Sequence, residues 1–269
     1  KSPHRHRPQT AISKPERRSP ETRRSTGIDN SSTSSPIFGM SAVLVDDVGA
    51  PKLRAAVNQL RSEFGVPANK PMSWKEHVKT HDRRRRAADV LGAVDEMKVC
   101  YVYAIKSELS PSSYVGNRDR FYNYVAYKLY KSTIWAARNW HGDSARLLTR
   151  FGHVRHHDHT VTESYIKWQA SSDPRIPFHM EQGLRWVSAG RYLESQAADL
   201  FCGFLKSALW PGGDFGYTEP SYLLSVWHKI RNSEDCAIPL GIMSMPHNKL
   251  VIDQAWFPCN ACPKRTPGV

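Results

Sequence analysis

At 269 residues and 30.6 kDa, with a hydrophobic fraction of 40%, the chain has enough apolar material to bury a sizeable core in one large domain. No run of about 18 apolar residues occurs, and the opening KSPHRHRPQTAISKPERR has no apolar stretch, so neither a membrane span nor a secretory signal is supported and the expected compartment is the cytoplasm. The formal net charge is +13, which directs attention to acidic or phosphate-bearing partners.

That charge is unevenly spread. Residues 1–24 hold eight basic residues against Glu16 and Glu21, a net of +6. A stretch so rich in Pro, Arg and Ser cannot bury enough apolar surface to order itself, so residues 1–25 are expected to be a disordered basic tail. Its field attracts phosphates with strong salt dependence. After SSTSSP, the run IFGMSAVLVDD is enriched in strand formers and stops at an Asp-Asp-Val-Gly turn. In APKLRAAVNQLRSEFG, Leu53, Val57, Leu60 and Phe64 recur at three and four residues, the pattern of an amphipathic helix closed by Gly65. PANKPMSWKEHVKTH interrupts the regularity, HDRRRRAADVLGAVDEM reads as a second helix, and MKVCYVYAIKSEL is apolar on both faces, as for a strand inside a sheet.

DRFYNYVAYKLYKSTIWAARNW is the longest periodic segment, with Phe121, Val125, Leu129 and Ile134 on one stripe. Its aromatic residues read first as wall and core packing rather than a base-stacking platform. ARLLTRFGHVRHHDHTVTESYIKWQ begins as a strand and passes through a His-rich turn into a helix opened by Asp158 or Thr160. LRWVSA is a short strand, followed by the helix GRYLESQAADLFCGFLKSALW, the loop WPGGDFGYTEP, the helix YLLSVWHKIR and the apolar IPLGIMSM. Strands and helices alternate without a repeat, and no linker divides residues 37–257, which favours one α/β layered domain. The expected division is a domain over 26–258 and a flexible tail over 259–269.

Within residues 190–210, Leu193, Ala197, Leu200, Phe201, Phe204 and Ala208 form one broad apolar stripe. Gln196, Asp199 and Gly203, at i, i+3 and i+7, share a second face. Glu194 sits near the helix N-terminus, where free amides favour a carboxylate. Asp199 has two readings, solvent-facing polarity or a carboxylate aimed at a ligand. The cluster His153, Arg155, His156, His157, Asp158 and His159 suits metal binding or acid–base work by composition, but it matches no zinc spacing and a structural role competes. Cys259-Asn-Ala-Cys262 is half of a zinc knuckle that would need partners such as Cys236 and His247, against the plainer reading of terminal thiols. The five cysteines suit a reducing compartment. Lys75, Lys79, Arg83, Arg84, Arg85 and Arg86 could grip phosphates or form a solvated face balanced by Asp82, Asp89 and Glu96.

GIDNSS, FGMSAVLVDD, MSWKEH before an Arg-rich helix, and ESQAADLFCGFL occur in this order, and together resemble a bacterial and phage family catalogued as domain of unknown function 3800. The resemblance spans residues 26–245, with QAADL its most specific element. It implies an RNase H-like α/β fold, a mixed sheet flanked by helices, and Mg2+- or Mn2+-dependent hydrolysis of phosphodiester bonds in RNA or DNA. By that resemblance Asp29, Asp158 and Asp199 are the metal ligands. Glu194 or Glu76 completes the shell, and His157 or His159 orients water or protonates the leaving oxygen. Lys75, Lys79, Arg83, Arg84, Arg85, Arg86 and Arg155 hold the phosphate backbone. The sequence departs from the family where Asn30 replaces the expected glutamate and where KPMSW lacks one. A catalytically degenerate nucleic-acid-binding or adaptor protein, or a structural component of a phage or defence assembly, are the alternatives.

Overall fold

Met97–Ile105 (β3) pairs along its whole length with Ile37–Val45 (β2) in an antiparallel ladder, from Ile37 opposite Ile105 to Val45 opposite Met97. Alternation along both strands sends successive side chains to opposite faces. Val43, Val45, Val99, Tyr101 and Tyr103 enter one core, while Met40, Ala42, Leu44, Cys100, Val102 and Ala104 enter the other. The computed structural model of the chain describes residues 36–110, 117–154, 157–188, 190–211, 216–230, 236–259 and 262, together with the backbone of 9–12.

The first core is covered by Gly49–Glu63 (α1), Trp74–His77 (α2), His81–Gly92 (α3), Leu193–Leu209 (α6), Ser221–Ser225 (α7) and Lys249–Ile252 (α8). The second lies beneath Arg118–His141 (α4) and His159–Ser172 (α5). The expected α/β architecture, a mixed sheet between helices, is therefore what the chain adopts. In α1, Asp46 Oδ1 accepts the free amides of Val48 at 3.0 Å and Gly49 at 2.7 Å, and the helix closes at Gly65, whose φ of +66° favours glycine. The long aromatic segment is a single helix of 24 residues, capped by Asn117 through the Arg120 amide at 3.0 Å. Phe121, Val125, Leu129 and Ile134 are buried as their spacing required. No helix of the described residues is long and apolar enough to cross a membrane.

The sheet order is β5-β4-β1-β2-β3-β6, with Gln9–Ile12 as β1, Leu148–Gly152 as β4, Arg185–Val187 as β5 and Ile242–Met245 as β6. β1 is antiparallel to β2 and parallel to β4; β4 and β5 are parallel, as are β3 and β6. Among the described strands only β2 runs against the rest. Gln9–Ile12 forms a strand within the stretch expected to be disordered over 1–25, whose other residues lie outside those described. Composition underrates such a segment because ladder bonds on both sides stabilise a four-residue strand that could not order alone. Of the expected flexible tail over 259–269, Cys259 and Cys262 pack half-buried against the first core, and the others lie outside the described residues.

Candidate functional site

Helix α6 crosses β1 and β2, and Ser41 Oγ ties it to the sheet by donating to the Ala198 carbonyl at 2.6 Å in a buried contact. Its apolar stripe faces the core as its periodicity demands, with Ala197, Leu200, Phe201 and Phe204 fully buried. The second face carries the chain segment Met72–Trp74. Gln196 Oε1 accepts from the Met72 amide and from Arg61 Nη1, both at 2.9 Å. Asp199 Oδ2 accepts from the Trp74 amide at 2.9 Å. Gly203 lies beneath the Trp74 indole, where a Cβ would come within 2.1 Å of the ring. Gln196, Asp199 and Gly203 are thus one strip, and its neighbour is a folded loop. Arg61 extends the clamp by donating to the carbonyls of Pro67, Ala68 and Lys70.

Beside that seat, a cleft of about 110 Å3 is lined by Phe38, Gly39, Lys75, Asp199, Cys202 and Lys206 among others. It opens where β2 begins, which is the end of the sheet at which β1 and β4 finish. In open α/β sheets this edge, outside the carboxyl ends of the parallel strands, is the usual place for a ligand. The half-buried Asp199 lines it together with Lys75 and Lys206.

The other expected site residues have separate surroundings. Asp158 is exposed and caps α5, its Oδ1 accepting from Thr160 at 2.9 Å and Val161 at 3.3 Å; the anticipated helix start is therefore correct. Glu194 is buried and paired with Arg54 Nε at 2.6 Å. Glu76 is exposed on α2, whose first turn it occupies. His157 contacts Asp119 through Nδ1 at 3.0 Å and Thr162 through Nε2 at 2.6 Å, and its ring packs on Tyr122 at 4.2 Å. His159 Nε2 accepts from the Val154 amide at 3.0 Å. Burial, then the neighbouring His153 and His157, push the His159 ring down to about 4, so it is a neutral acceptor at neutral pH. Asp29 and Arg155 lie outside the described residues.

Part of the expected cationic grip is turned inward. Arg83 donates to the His77 carbonyl at 2.9 Å and lies over Phe64. Arg84 donates to the Val78 carbonyl at 3.2 Å and lies 4.9 Å from the Trp74 ring centre. Arg86 forms a two-pronged pair with Glu63 at 2.7 and 2.9 Å, and its hydrogen bonds hold that carboxyl at about 2. Lys75, Lys79 and Arg85 are exposed.

Among the described residues one group of three metal-ligating side chains forms, and it is Cys236, Cys259 and Cys262, whose sulfurs all lie within 4.8 Å of one another. His247 is not part of it. The spacing Cys-x-x-Cys signalled two of its members; Cys236 stands too far away in sequence for spacing to identify. Sequence reasoning also passed over Glu181, a carboxylate with its pKa raised by burial that accepts from Thr149 Oγ1 at 2.5 Å and from the Gly183 amide at 2.9 Å, pinning the start of β5 to β4. Compared with known proteins, the chain matches no family model, no curated protein and no solved structure.

Two measurements probe these contacts. Gly203→Ala is expected to cost about 1–3 kcal/mol by forcing Trp74 off its seat, read from the urea midpoint; combining it with Trp74→Leu should cost less than the sum of the two single changes. His159 has a folded pKa below the ordinary histidine value of 6.5, so the stability it contributes is complete above pH 6.5 and is lost as pH falls through 4. His159→Gln should flatten the decline of Tm across that window, and a ring titrating near 6.5 by NMR would contradict the assignment.

Proposed function

We propose that the chain is a nucleic-acid-binding protein built on an RNase H-like frame whose carboxylate centre has lost its hydrolytic role. The frame is supported by the strand pattern, in which an antiparallel β1-β2-β3 run adjoins β4 and β5 parallel to β1. The observation that carries the binding reading is the position of Lys75, next to the α6-bound Trp74 and lining the sheet-end cleft that Lys206 also lines. Lys79 and Arg85 lie exposed on the adjoining segment and helix, and the wider charge of +13 supplies attraction at longer range. Contacts of this kind hold phosphates and leave sequence unread.

Loss of hydrolysis is supported from two sides. Asp158 and Glu194 are committed to a helix cap and an ion pair, and Asp199 holds the Trp74 amide. The resemblance expects a glutamate directly after the first-strand aspartate, whereas Asp29 is followed in sequence by Asn30.

The hydrolytic reading keeps one specific support, the placement of Asp199 in a cleft at the carboxyl ends of β1 and β4. In that reading Asp29, Asp158 and Asp199 would hold Mg2+ or Mn2+, which would supply an activated water and charge stabilisation at the phosphoryl group. Asp199→Asn preserves an acceptor for the Trp74 amide while removing the charge. Incubation of RNA and DNA with Mn2+ is expected to yield no cleavage by the native chain above that of this variant; cleavage lost on Asp199→Asn would establish the hydrolytic reading instead.

Binding itself is expected to weaken steeply with salt. Replacing Lys75, Lys79 and Arg85 together by alanine should reduce the slope of log K against log salt by roughly 2 to 3, at somewhat under one counterion for each phosphate contact. Fluorescence anisotropy with a labelled oligonucleotide measures both, and a slope unchanged by the triple substitution would remove this surface from the interface.

A further inference from the structure

Cys236 and Cys262 place their sulfurs 3.3 Å apart, and Cys259 completes a triangle with every edge within 4.8 Å. A tetrahedral zinc with Zn–S bonds of about 2.3 Å requires sulfurs about 3.8 Å apart, so small side-chain rotations bring the three into a ligand set. The trio is free of disulfides and half-buried, with Cys259 and Cys262 packed against the first core. The Ile238 amide donates to Cys236 Sγ at 3.4 Å, the kind of outer hydrogen bond that stabilises a metal-bound thiolate.

The surroundings explain what such a site would do. Directly after Cys236, Ala237 is buried and its carbonyl accepts from the amides of Gly241 and Ile242 at 2.7 and 2.9 Å, forming the turn that feeds β6. Just before Cys259, Trp256 donates to the Ala208 carbonyl at the end of α6 at 3.0 Å, and Phe257 is buried against Trp227. The cysteines therefore join the segment leading into the edge strand to the segment returning from α8.

We propose that Cys236, Cys259 and Cys262 bind one zinc ion as a structural clip. Thiolate sulfur selects zinc over Mg2+ or Mn2+. On binding, each thiol forms a Zn–S bond and releases its proton to solvent, with no change of oxidation state. The inference is independent of the proposed nucleic-acid binding.

The full chain, purified under reducing conditions and loaded with Zn2+, is expected to retain about one zinc after desalting, by elemental analysis. Cys236→Ser and Cys259→Ser should each lose it, and Cys202→Ser should keep it. In the native chain, zinc should protect three thiols from alkylation, identified by peptide mapping as these cysteines, and a chelator should expose them while lowering Tm. This second measurement needs no variant and stands if the serine variants fail to fold. Cobalt(II) in place of zinc should give thiolate-to-metal charge-transfer absorption. Failure of the reduced chain to retain zinc, retention undiminished in both serine variants, or protection of other cysteines would overturn the proposal. A Cys236–Cys262 disulfide that, once reduced, leaves thiols unable to take up zinc would overturn it too.

Discussion

Everything in this fold is arranged around the nine-residue ladder between β2 and β3. Because both strands are buried on both faces, their polar backbone groups can be satisfied only within the sheet, and unpaired groups there would be costly. Two-sided burial also requires two separate helical layers. α4 and α5 supply one, while α1, α3 and α6 supply most of the other. The register that places Val43 and Tyr101 on one side and Leu44 and Cys100 on the other admits no slip, since a shift by one residue would exchange the two cores.

That constraint explains how α6 acquires its unusual polar content. Its apolar stripe and the Ser41 contact hold it across the sheet, which leaves its flanking face as a fixed platform for whatever chain passes over it. Gln196, Asp199 and Gly203 supply two acceptors and a cavity for an indole, and the Met72–Trp74 segment supplies two amides and the indole. Each acceptor meets an amide for which the donor's own segment supplies no ladder or helix partner. The same docking carries Lys75 to the cleft.

Much of this was legible in the residues themselves. The spacing of Leu53, Val57 and Leu60 and the continuous apolar run of β3 were sufficient because local periodicity and burial agree there. The shared face of Gln196, Asp199 and Gly203 was also readable from helical geometry. Its partner was not, because the Met72–Trp74 contact spans 125 residues between Trp74 and Asp199 and leaves no local pattern. Gln9–Ile12 was missed for the same reason, its order coming from β2 and β4. Composition correctly found the histidine cluster but not its use, since Val154, Asp119 and Thr162 are partners supplied by the fold. Arg83 and Arg84 show the limit of charge counting. A run of arginines looks like a phosphate grip until their guanidinium planes are found over Phe64 and Trp74.

The two ends of α6 tie these regions into one mechanical unit. At its start Glu194 pairs with Arg54 of α1, and at its finish the Ala208 carbonyl is taken by Trp256, so neither terminal turn relies on solvent alone for its partners. Trp256 and Phe257 in turn pack on Trp227, and their segment runs on to Cys259 of the cysteine trio. Drawing the three sulfurs together would restrain the returning segment, and through Trp256 the last turn of α6, where Leu209 and Lys206 line the cleft. The cleft at the sheet end thus depends on contacts made at both ends of the helix, and its geometry is coupled to a segment that contributes no residue to its walls.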